Sequence, residues 1–208
     1  MSDNKEAKET KEVFAFTPEM EEKAKMFLAR YPEERSASAV MPLLDLAQRQ
    51  HQNWLPRAAM DAVAEMLEMP RIRVYEVATF YTMYNLAPVG EHFVQICTTT
   101  PCWLRGSDDV VSACKSKLGV ELGETTADGK FTVIEVECLG ACANAPMMQV
   151  NDDYYENLTA DNTAAVLDAL AKGDKPKAGP QSGRRGSGPA GGPTTLQDFT
   201  LQDSRGDG

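Results

Sequence analysis

Four of the chain's five cysteines stand in two tight couples, Cys97-Thr-Thr-Thr-Pro-Cys102 and Cys138-Leu-Gly-Ala-Cys142, and nothing else in the sequence limits the fold so strongly. Any architecture has to bring these two short, widely separated segments to one place. The first ten residues, MSDNKEAKET, lack an apolar stretch and an Arg-rich face, so they read as neither a secretory signal nor a transit peptide. A bacterial cytoplasmic setting is therefore expected, with a processed organellar form as the alternative. Thiols stay reduced there, and paired cysteines point to metal or redox chemistry rather than to a disulfide framework.

Each couple follows a predicted strand, one through His92-Phe93-Val94-Gln95-Ile96 and one over Phe131 to Val136. If those strands run parallel, both couples leave the same end of one sheet, and four sulfurs can close around one inorganic centre. Structural zinc favours short knuckles, often C-x2-C. The wider C-x4-C spacing occurs around [2Fe–2S] cores, where each iron takes two sulfurs. The ligands here split two and two, so the pattern is not plant-type. Thr98, Thr99, Thr100, Gly140, Ala141 and Ala143 are small enough to let backbone N–H groups approach the sulfurs and offset cluster charge. Ligand type and spacing favour iron–sulfur, with zinc as the competing reading. A dithiol redox site needs C-x-x-C at a helix N-terminus, and neither couple has it. Cys114, beside Val110, Val111 and Leu118 in a predicted helix, reads as a buried structural thiol.

Residues 1–16 read as a polar lead-in. Residues 17–86 read as a small helical bundle. Its first helix is capped by Thr17 and opened by Pro18, with Met20, Ala24, Phe27, Leu28 and Tyr31 at helical spacing. A second runs from about Ala39 to His51, carrying Val40, Leu43, Leu44 and Ala47. A third starts at Pro56, with Met60, Val63, Met66 and Leu67. Pro70 ends it and opens a fourth through Ile72, Tyr75, Phe80 and Tyr81. Phe80 and Tyr81 are expected in the core, and partner contact is the alternative. His51 reads as a helix-surface or core-edge residue. Residues 87–173 alternate strands and helices: a helix capped by Ser107, a turn at Asp128-Gly129, and a hairpin about Asn151-Asp152-Asp153. A last helix, capped by Thr159, stops at Gly173. That order suits a helix-covered mixed sheet of the thioredoxin-like α/β kind, behind an all-helical N-terminal part. Residues 174–208 are rich in Gly, Pro, Ser and Lys/Arg and read as a disordered tail or an arm that orders against a partner. Gly183-Arg184-Arg185-Gly186 lacks a phosphate-loop pattern.

The net charge of −10 gives no basic face for nucleic acid. No apolar run approaches the roughly 18–20 residues that span a bilayer, so no direct membrane insertion is expected.

Over about residues 17–186 the sequence resembles the E-subunit family of NADH-quinone oxidoreductase, the thioredoxin-like [2Fe–2S] component in the peripheral arm of respiratory complex I. The stretches that carry the resemblance are YPEERSASAVMPLLDLAQ, VYEVATFYTMYN, CTTTPCWLRG, VECLGACANAPMMQVNDDYYENLT and GPQSGR. The resemblance implies one [2Fe–2S] cluster on Cys97, Cys102, Cys138 and Cys142, not on Cys114. It also implies a partner subunit that binds FMN and NADH, further peripheral-arm partners, and a place on the cytoplasmic face of the membrane (the matrix side in an organelle). The cluster is expected to exchange single electrons with the partner's flavin, and no catalytic residue is expected in this chain. Related subunits in NAD-linked hydrogenases and formate dehydrogenases are the alternative assignment. Trp103 is expected to shield the cluster or pack nearby, and Asn144-Ala145-Pro146 to shape its edge or form a plain turn.

Overall fold

A computed structural model of the chain describes residues 13–189, 191–192 and 194–195. They divide into two compact units, one up to Glu91 and one from His92.

The first unit is helical. Thr17 Oγ1 accepts a hydrogen bond from the Met20 N–H at 3.3 Å and starts α1 (Pro18–Leu28), as the sequence predicts. A 3₁₀ segment (Glu33–Ala39) leads into α2 (Val40–Gln50), followed by α3 (Arg57–Met66) and α4 (Arg71–Phe80). Leu43, Leu44, Leu55, Val63 and Val74 are buried at its centre. Buried Gln48 ties the segment after α4 to α2, donating to the Met83 carbonyl at 3.0 Å and accepting from the Asn85 N–H at 2.7 Å.

Three expectations change here. Phe14 and Phe16, placed in a polar lead-in, pack against the bundle core, and Gln50 holds that segment by donating to the Ala15 carbonyl at 2.8 Å. The preceding residues 1–12 lie outside the described part. Tyr31 falls beyond the end of α1. On α4 the buried residues are Val74 and Ala78, while Ile72, Phe80 and Tyr81 are exposed, Phe80 to 76%. Two residues along a helix turn it by about 200°, so Ile72 and Val74 cannot share a face. Both faces of α4 carry apolar residues, and local periodicity does not choose between them.

The second unit contains a mixed five-stranded sheet in the order β2-β1-β3-β4-β5. Its elements are β1 (His92–Cys97), α5 (Thr100–Leu104), α6 (Ser107–Leu118), β2 (Phe131–Val136), β3 (Met147–Val150), β4 (Asp153–Glu156), α7 (Ala160–Ala171) and β5 (Gly179–Pro180). β1 and β2 pair in parallel, with Cys97 opposite Val136. β3 runs antiparallel to both β1 and β4, and β5 runs parallel to β4. Val94, Ile96, Val133, Met148 and Val150 share one core with Val110 and Cys114 of α6 and Val166, Leu167 and Leu170 of α7. Strand side chains alternate, so Ile96 in that core turns the next residue, Cys97, away from it. Thr159 caps α7 in a reciprocal capping box with Asn162.

The cap of α6 differs from expectation. Gly106, in the left-handed region at φ 95°, is the N-cap, and Ser107 is the first helical residue, its hydroxyl fully buried. Residues 179–188, expected to be disordered or held by a partner, fold back onto their own domain. There β5 pairs with β4, and the Gln181 N–H donates to the Glu156 carbonyl at 2.8 Å.

Candidate metal centre

Parallel pairing of β1 and β2 brings their C-terminal ends to one edge of the sheet, and both cysteine couples emerge there. Cys97 is the last residue of β1, not a loop residue. Thr99 then caps the short helix α5, with Pro101 in its first turn, and this turn carries Cys102 back into the interior. The sequence reading missed α5 because its five residues are too few to show a helical period. Cys97 and Cys102 are only 2% and 1% exposed, within a small apolar cluster that includes Ala145 and Met147.

The second couple follows β2 on an exposed loop. Gly140, at φ 87°, donates its N–H to Cys138 Sγ at 3.4 Å, a backbone conformation that glycine supplies without strain. Cys142 opens a 3₁₀ turn through Asn144, and its sulfur lies 3.4 Å from that of Cys138. Both of these cysteines are exposed. The Tyr154 hydroxyl donates to the Leu139 carbonyl at 3.0 Å and anchors the loop to β4.

The sulfurs differ electrostatically. Burial disfavours the Cys97 thiolate, but the Thr99 hydroxyl and N–H, the Cys102 thiol and the Leu139 N–H together outweigh it and hold Cys97 below the usual thiol range. Burial, followed by the Cys97 neighbour, pushes Cys102 up to about 12. Cys138 is the main reason Cys142 is raised, with burial second. Cys142 repels a thiolate at Cys102, and Cys97 repels one at Cys142, so the two couples lie within electrostatic reach of each other. Thiolates that resist coexisting without a cation are suited to a positive centre among them.

Among the described residues, no group of three or more His, Cys, Asp or Glu side chains is placed to hold a metal ion. Four sulfurs in two couples suit a two-iron core, in which each iron takes two thiolates. The N–H groups of Leu139, Gly140 and Met147 face these sulfurs and match the acceptor demand of such a core. Leu139, Met147 and Tyr154 escaped the sequence reading, because a backbone donor or a hydroxyl from a neighbouring strand leaves no local pattern. Trp103 is 58% exposed, which removes the packing role considered for it. Asn144, two residues after Cys142, is buried and donates to Glu156 Oε2 and the Gly186 carbonyl. Cys114 is fully buried in α6, where burial pushes its thiol up to about 12. His51 caps the C-terminus of α2 in the helical unit, between Phe14 and Trp54.

Thiol couples at the ends of two parallel strands, in a sheet packed against α6 and α7, fit a thioredoxin-like protein suited to a thiolate-held centre. Residues 24–171 match the thioredoxin-like [2Fe–2S] ferredoxin family, and the chain belongs to that family. It is 57% identical over 157 residues to the E-subunit of NADH-quinone oxidoreductase from Rickettsia bellii, spanning 76% of this chain and 94% of that one. It is 52% identical over 185 residues to the mitochondrial NADH dehydrogenase [ubiquinone] flavoprotein 2 of Dictyostelium discoideum, covering 88% and 75% of the two chains. An NAD+-reducing [NiFe]-hydrogenase in its air-oxidised state superposes with a TM-score of 0.55 at 18% identity. That match covers 62% of this chain and 23% of the hydrogenase chain, and it shows a shared fold.

Proposed function

We propose that this chain is the electron-transfer subunit of an NADH:quinone oxidoreductase, the respiratory complex I. In this reading it holds one [2Fe–2S] cluster on Cys97, Cys102, Cys138 and Cys142 and exchanges single electrons with the FMN of a partner subunit that binds NADH. Membership of the [2Fe–2S] ferredoxin family supports it, as does the likeness to the Rickettsia bellii protein across nearly its full length. The observation that carries the ligand assignment is the meeting of two thiol couples at one sheet edge.

A bound cluster supplies reversible storage of one electron. The chain's own residues supply the rest. Cys97 and Cys102 keep one side of the site dry. The N–H groups of Leu139, Gly140 and Met147 offset negative charge on the sulfurs, and their strength sets how readily an electron is accepted. Cys138 and Cys142 leave the opposite side open to a redox partner. Electron transfer through the cluster needs no acid, base or nucleophile from this chain, so the isolated chain is expected to be inert towards NADH. No helix among the described residues is long and apolar enough to cross a membrane. In this reading, attachment to the cytoplasmic face of the membrane, or the matrix side in an organelle, runs through other subunits of the complex.

Anaerobic purification followed by absorbance, iron and sulfide analysis, and EPR after reduction tests the cluster. Two irons and two sulfides per chain with a reduced-state EPR signal are expected; a colourless protein with one zinc overturns the proposal. Co-purification with a flavin- and NADH-binding subunit tests the assignment to this complex.

A further inference from the structure

The segment after α7 does more than extend the sheet. Beyond β5 the chain turns at Gly183, at φ 77°, and returns towards the exposed cysteine loop. Arg184 makes two hydrogen bonds there. Its Nη1 donates to the carbonyl of Ala143, the residue next to Cys142, at 2.7 Å, and its Nε donates to the Gly188 carbonyl at 2.6 Å. A Cβ at Gly188 would come within 3.0 Å of the Arg185 carbonyl, so the turn closing around the guanidinium favours glycine. From the other side Asn144 Nδ2 donates to the Gly186 carbonyl at 2.9 Å and to Glu156 Oε2 at 2.5 Å. The Asn144 Oδ1 is buried without a partner, so the bonds this side chain donates hold the residue against a desolvation penalty.

We propose that residues 179–188 are a strap that fixes the Cys138–Cys142 loop, and that Arg184 and Asn144 are positioning residues for the cluster. The inference rests on the iron–sulfur reading of the site. The first couple needs no such device, being set by β1, α5 and the apolar cluster around them. The second couple is exposed and its loop meets the apolar cluster only through the half-buried Leu139 and Ala141, so hydrogen bonds from outside add to the hold that burial gives the first. Arg184 adds a second effect. Its fixed positive charge sits on the backbone beside a ligand of a negatively charged cluster, which favours the reduced, more negative state.

The test compares the full-length, cluster-loaded protein with its Arg184→Ala and Arg184→Lys variants. In Arg184→Ala, cluster loss to an iron chelator is expected to speed up by about 10–100-fold, the range found for outer-shell partners of metal ligands. Amide hydrogen exchange is expected to rise over residues 138–144 but not over β1 or α7, and the midpoint potential to become more negative. Arg184→Lys keeps the charge but not the two-pronged geometry. It is expected to restore the potential while the loop stays fast in exchange. Wild-type chelator kinetics and wild-type exchange over 138–144 in Arg184→Ala overturn the proposal. So does a rise in exchange spread evenly over residues 92–173, which is general destabilisation. If the wild-type protein instead proves to carry zinc, the iron–sulfur reading fails, while the exchange comparison on the zinc-loaded protein still decides whether the strap holds the loop.

Discussion

The two cysteine couples reach the same sheet edge by opposite means. Cys97 and Cys102 are buried among Ala145 and Met147, one ending a central strand and the other on a helix that packs inward. Cys138 and Cys142 are exposed, on a loop held by Tyr154, Asn144 and Arg184. Half of this site is thus a product of the hydrophobic core. The other half has only Leu139 and Ala141 half-buried against that cluster and leans on directional hydrogen bonds of modest individual strength. The first half should survive changes that loosen the second.

The strongest challenge to this contrast is to remove one sulfur from each couple. Cys97→Ala and Cys138→Ala are both expected to abolish the native EPR signal. Their apo forms should differ: urea unfolding should show a loss of about 1 kcal/mol for the buried position, and a change within about 0.5 kcal/mol for the exposed one. Equal losses would mean that burial does not separate the couples.

A smaller effect is expected from Tyr154→Phe, which deletes only the bond to the Leu139 carbonyl. A loss of about 0.5–1.5 kcal/mol is anticipated, together with faster release of the cluster. Thr159→Ala, which uncaps α7 away from both couples, should cost about 1 kcal/mol with cluster release unchanged. If both variants released the cluster at the same rate, general stability, not the loop anchor, would control retention.

The smallest effect on the cluster concerns Cys114, which belongs to neither couple. Cys114→Ala is expected to leave the EPR signal intact. Its folded-state value is raised to about 12, against about 8.5 for an exposed thiol. The buried protonated thiol therefore contributes stability that is fully present below about pH 8.5 and lost as pH rises towards 12. The urea-midpoint difference between wild-type and Cys114→Ala apoprotein should shrink across that window. A gap that stays constant up to about pH 11 would show that Cys114 is not held protonated.

Much of the molecule could be read in advance. Caps and breakers at Thr17, Pro70, Thr159 and Gly173 mark helix ends because their effects are confined to one turn. The strands before each couple declare themselves through runs of β-formers, and cysteine spacing proposes the four sulfurs. Other features were not legible. The burial expected of Phe80 and Tyr81 was misjudged, since Val74 and Ala78 supply the stripe of α4 that packs inward. Ser107 lies beside a glycine that takes its expected capping place. The arm carrying Arg184 has a composition that resembles a tail, and nothing local announces the bonds that tie it down.

The order of the longer elements, most helix boundaries and the spacing of the two cysteine couples were written in the chain alone, because they follow from short-range sterics, capping and primary sequence. Packing in three dimensions settled which couple is buried, which face of α4 is covered and where the Gly-rich arm goes. Those outcomes depend on partners far along the chain, as between Ala143 and Arg184. Contacts at that separation obey no period that a stretch of sequence can display.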